Sequence, residues 1–92
     1  MEKHRQTVIQ IEQILQQWGA VHVEVTDNSH LHVGHAGAKS GGGHFAVKVA
    51  ASEFKDKTRI QRHRMVYQAL TALFENGAIH ALEVEAVTEE EL

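Results

Sequence analysis

The sequence contains no cysteine. Disulfides, cysteine nucleophiles and thiolate metal sites are thereby excluded. Any metal chemistry must use imidazole or carboxylate from this chain, or ligands brought by another molecule. A thiol-free chain suits a reducing compartment, and a cytoplasmic location is expected. No apolar run approaches the length of a membrane span, and Met1-Glu-Lys-His-Arg5 has no apolar stretch of the secretory kind, so no membrane association is expected. Aromatic residues make up 5% of the chain, which leaves few surfaces for stacking bases. The net charge is −3 with histidine neutral, so no global field draws the chain to polyanions. There is also no nucleophile elbow and no paired-carboxylate constellation, and the chain reads as a binding protein, not an enzyme.

What is present is 92 residues with an apolar content of 42%, enough for one modest core, so residues 1–92 read as a single domain and a monomer. Val8, Ile11, Ile14, Leu15 and Trp18 recur at helical spacing, and Gly19 supplies a stop. Val21, Val23 and Val25 alternate with polar residues, as do Phe45, Val47 and Val49, which gives two strands expected to pair antiparallel. Residues of about 28–43 hold most of the glycines and read as a flexible loop between them. Ser52 to Thr58 reads as a turn or short helical piece. From Arg59 a long helix is expected to bury Ile60, His63, Val66, Tyr67, Leu70, Leu73 and Phe74, and to stop at Asn76-Gly77. Ile79 to Val87 forms the last strand, its alternation setting His80 beside Leu82 and Val84 on the apolar side. Thr88-Glu-Glu-Glu91 has capping-box form and opens an acidic tail over residues 88–92. The order α-β-β-(α)-α-β is an α+β arrangement, three strands with helices on one face.

Two groups of residues carry chemistry. Lys55, Lys57, Arg59, Arg62 and Arg64 lie within ten positions of an otherwise acidic chain. Such a patch can hold nucleic-acid phosphates or the carboxylates of a partner. His63 falls on the expected apolar stripe and reads as a structural, hydrogen-bonded core residue. The second group is histidine: His30, His32 and His35 in the loop, and His80 at the start of the last strand. Neutral imidazole binds iron and zinc, but two or three imidazoles do not complete a four-ligand site.

Four stretches occur in an order that resembles the BolA family: Asp27-Asn-Ser-His-Leu-His-Val-Gly-His35, His44-Phe45-Ala-Val-Lys-Val49, the segment from Phe54 through Arg62-His63-Arg64, and Ile79-His80-Ala81-Leu82. The resemblance covers nearly the whole chain. It implies a class II KH-like fold with a three-stranded mixed sheet. It also implies a monothiol glutaredoxin as partner and a [2Fe-2S] cluster shared with that partner and glutathione, in iron–sulfur trafficking or iron homeostasis; the isolated chain would hold none. By the same resemblance His80 is a cluster ligand, and the loop supplies the second, His32 or alternatively His35. The alternative function that it implies is a DNA-binding transcriptional regulator of the stress or morphology type, using residues 55–64. The family commonly has glycine after the Phe54-Lys55 pair, where this chain has Asp56, and the GxxG loop with which KH domains grip single strands is missing.

Overall fold

The computed structural model describes residues 2–29 and 42–92, apart from the side chains of residues 2 and 3. The expected loop ligands His32 and His35, with His30 and most of the 28–43 loop, lie outside the described residues.

Helix α1 spans Glu2–Trp18. Its inner line is the expected one: Ile11 and Leu15 are fully buried, with Val8, Ile14 and Trp18 packed beside them. Gly19 ends it at φ +128°, a conformation that side chains resist, and an added Cβ would lie 2.5 Å from the Glu53 carboxylate. Strand β1 (His22–Asp27) pairs antiparallel with β2 (Gly43–Ala50), placing Val25 opposite Val47 and Val23 opposite Val49. Val21 precedes β1 and is 56% exposed, so the inner face of that strand is carried by Val23 and Val25 alone. A single 3-10 turn, Ser52–Phe54, drives Phe54 fully into the core against Trp18, with ring centroids 5.3 Å apart. Asp56 follows at φ +62°, the left-handed region that glycine enters most easily.

Helix α2 (Arg59–Ala69) starts at a Thr58–Gln61 capping box: the Gln61 N–H donates to Thr58 Oγ1 at 3.1 Å, and the Thr58 N–H donates to Gln61 Oε1 at 2.8 Å. The expected long helix is broken at Leu70, and α3 (Thr71–Glu75) resumes it. The Thr71 hydroxyl donates to the carbonyls of Tyr67 and Gln68, and this local bond competes with the helical ladder. The buried line also differs from the expected stripe. Val66, Leu70 and Leu73 face the core, whereas Ile60 is 64% and Tyr67 41% exposed. His63 is half-buried and stays outside the core cluster, which corrects its reading as a core residue.

The sheet has the order β1-β2-β3, with β3 (Ile79–Val87) parallel to β2. Three helices and a three-stranded mixed sheet, the helices packed on one face, are as expected from the order of elements. Simple alternation fails at one point of β3. Gly43 pairs with Ile79 but His44 pairs with Ala81, so His80 is an extra residue, a β-bulge. The bulge allows Ile79 and Leu82, three apart, both to be buried. It also takes His80 off the apolar face, where alternation puts it, and exposes it.

Candidate functional site

The bulge brings His80 against His44, whose ring centroid lies 5.0 Å away at an interplanar angle of 44°. His44 follows Gly43 in β2, next to the end of the loop that began at residue 28. Alternation points it away from Phe45, Val47 and Val49, on the sheet face that the helices leave uncovered. Gly42 makes the approach feasible: a Cβ there would lie 2.9 Å from His80 Cβ and 3.0 Å from the Gly77 carbonyl.

The other end of the loop is pinned to the same place. The Asn28 N–H donates to the His44 carbonyl at 2.8 Å, and the His44 N–H donates to Ser29 Oγ at 3.1 Å. The Ser29 N–H in turn donates to Asp27 Oδ1 at 2.9 Å, an Asx turn. Burial raises the Asp27 carboxyl, but the Ser29 hydroxyl and N–H and the nearby His4 outweigh it and hold the group below its usual range. Asp27 therefore stays ionised and keeps the turn that seats His44.

His44 escaped the sequence reading because it sits inside an alternating strand, where it looks like any outward polar residue. Its sequence signals are adjacency to the triple glycine at 41–43 and its place at the head of one of the four family-like stretches. Among the described residues no three histidine, aspartate or glutamate side chains gather as a self-sufficient metal site.

The basic segment is divided by the fold. Arg62 is turned inward, its side chain 16% exposed. Its Nε donates to the Lys57 carbonyl, and its Nη1 donates to the Ala86 carbonyl, both at 3.1 Å, and to Glu91 Oε1 at 2.8 Å. Lys57, Arg59, Arg62 and His63 line one wall of a groove between α2 and β3, with a volume of about 610 Å³. Arg64 lies around the helix with Ile60 and Tyr67, and Lys55 is exposed on the preceding turn. The Glu91 carboxyl is held below its usual range, first by the Thr88 N–H and then by Arg62. The capping box read at 88–91 thus closes a 3-10 turn, Glu89–Glu91, and docks it on α2.

A family model described as BolA-like protein matches residues 14–91. The chain belongs to the BolA-like family. It is 37% identical over 82 residues to the protein named DNA-binding transcriptional regulator BolA of Haemophilus influenzae, covering 88% of this chain and 76% of that protein. It is 34% identical to SufE-like protein 1 of Arabidopsis thaliana over 77 residues, which span 78% of this chain but only a fifth (20%) of that longer protein. Among solved structures, the BolA domain of Arabidopsis SufE1 superposes with a TM-score of 0.78 at 30% identity, covering 91% of this chain and 93% of that one. Arabidopsis BolA1 gives a TM-score of 0.74 at 27% identity, over 90% and 92% of the two chains. The BolA-like fold is therefore shared along nearly all of the chain. No helix among the described residues is long and apolar enough to cross a membrane.

Proposed function

We propose that this BolA-like chain is an adaptor, not an enzyme, that pairs with a monothiol glutaredoxin and lends imidazole to a [2Fe-2S] cluster held jointly with that partner. The observation that carries the reading is His80, exposed on a bulge with His44 beside it at the end of the histidine-bearing loop. The donor set fits such a group. Imidazole can replace thiolate on one iron, and a chain without cysteine needs the remaining ligands from outside, here a glutaredoxin cysteine and glutathione. Within this chain His80 supplies the exposed nitrogen ligand. The Asp27–Ser29 turn fixes the backbone of His44 next to it, and His32 or His35 of the loop is the further ligand. When bound, the cluster supplies one-electron and iron–sulfur transfer chemistry.

The test is reconstitution with a monothiol glutaredoxin, glutathione, iron and sulfide, followed by visible absorption and circular dichroism. His80→Ala is expected to shift the spectrum towards that of the glutaredoxin alone. Superimposable spectra for wild type and His80→Ala would remove His80 from the ligand set.

A second reading has its own support. The Haemophilus relative is named a DNA-binding transcriptional regulator. Lys55, Lys57 and Arg59 are exposed at the start of α2 and on the turn before it, and Arg64 is exposed further along the helix. As a duplex DNA-binding protein the chain would retard DNA in a salt-dependent way, and neutralising Lys57 and Arg59 together would flatten the salt slope by about two contacts. An unchanged slope in that double variant would take these residues out of DNA contact.

A further inference from the structure

The groove between α2 and β3 uses none of the imidazole pair, and its chemistry stands apart from any cluster. Its floor is the free edge of β3. The Val87 carbonyl accepts from the Ala51 N–H on the inner side. Alternation therefore turns the backbone groups of Leu82, Val84 and Ala86 outward. Two of those carbonyls are capped from α2: Tyr67 Oη donates to Leu82 at 2.7 Å, and Arg62 Nη1 to Ala86 at 3.1 Å. Val84 lies between them, lines the groove, and has no such cap among the described hydrogen bonds.

Above that edge the groove offers cations. The Arg62 guanidinium is oriented by two backbone carbonyls, of Lys57 and Ala86, and this leaves its direction independent of any acid. Lys57 and Arg59 line the same cavity and make no ion pair among the described residues. The place is already occupied by a carboxylate from the chain itself. Glu91, its side chain 48% exposed, sits on Arg62 from a three-residue turn. Removing it breaks two hydrogen bonds, from Arg62 and from the Thr88 N–H, and opens this short turn.

We infer that the groove is a carboxylate-binding site for an acidic peptide segment of a partner protein, and that Glu91 is its built-in competitor. The seated carboxylate shows the ligand chemistry. A fork-shaped guanidinium of fixed orientation favours carboxylates. The uncapped Val84 edge can take a peptide main chain. Duplex phosphate is disfavoured, because a duplex has no main chain to pair with the uncapped Val84 edge.

The experiment titrates the full chain into a fluorescein-labelled peptide, Val-Thr-Glu-Glu-Glu-Leu, with anisotropy as readout and a labelled mixed-sequence DNA duplex in parallel. Glu91→Ala is expected to bind the peptide about tenfold more tightly than wild type, the effect of one charge-assisted hydrogen bond freed from competition. Adding Arg62→Gln should abolish the gain. Should circular dichroism show that double variant to be unfolded, Lys57→Gln with Arg59→Gln in the Glu91→Ala background serves instead, since both side chains are exposed. Equal peptide affinity for wild type and Glu91→Ala would overturn the inference. So would a gain that survives loss of the cations, or a gain for DNA as large as that for the peptide.

Discussion

Phe54→Ala is expected to lower the unfolding free energy by about 3–5 kcal/mol. Phe54 is fully buried although it sits on a three-residue turn, not on a helix or strand. It carries the connection from the sheet to α2 into the core, and Trp18 at the end of α1 leans on its ring. Truncation would remove contacts with α1 and leave a cavity that neither a helix end nor a strand end can close. Small domains have about 5–15 kcal/mol in total, so this one change takes a large fraction of it. Urea denaturation followed by far-UV circular dichroism measures the loss. A decrease below about 1 kcal/mol would mean that the turn relaxes into the space and Phe54 is no anchor.

The second large effect lies at the opening of β2. Gly43→Ala is expected to destabilise by about 1–3 kcal/mol through overpacking. A Cβ at position 43 would stand 2.4 Å from Cε2 and Cζ of Phe45 and 2.9 Å from Nδ1 of His4. Phe45 is 2% exposed, so its ring has nowhere to go. Gly43 also anchors the strand pairing, since its N–H donates to the Ala78 carbonyl at 3.0 Å and it faces Ile79 across the ladder. An alanine there must therefore displace either the ring or the register. Thermal unfolding of the variant against wild type decides the matter, and an unchanged midpoint would show that the strand shifts at no cost.

Burial follows from the sequence where one period holds over a whole element. Ile11 and Leu15, and Phe45, Val47 and Val49, each repeat a single spacing, and their burial follows from it. Burial departs from the sequence pattern where a local bond or an extra residue breaks the period. Thr71 divides the long helix by bonding to its own backbone, and the stripe drawn through Ile60 and Tyr67 assumed a continuous helix facing one way. The bulge shifts alternation in β3 by one. A hint was present, since Ile79 and Leu82 are three apart, a spacing that no regular strand can bury at both ends. In the candidate site, the sequence singles out His80, but strict alternation sets it on the wrong face. His44 looks like any outward strand residue, and the inward turn of Arg62 depends on the Ala86 carbonyl, 24 positions away. Contacts at that separation leave no trace in spacing.

The bulge has a consequence for how freely this protein can change. β3 carries one residue more than its ladder with β2 needs: with His80 left out, Ile79, Leu82, Val84 and Ala86 would alternate without interruption. The imidazole therefore answers to the packing of neither face, and the sheet does not depend on which side chain stands there. His44 has no such freedom, because it is a rung of the ladder and its backbone is tied at both ends to the Asp27–Ser29 turn. Of the two histidines, one belongs to the scaffold, and the other can be exchanged, and its chemistry altered, at little cost to the fold.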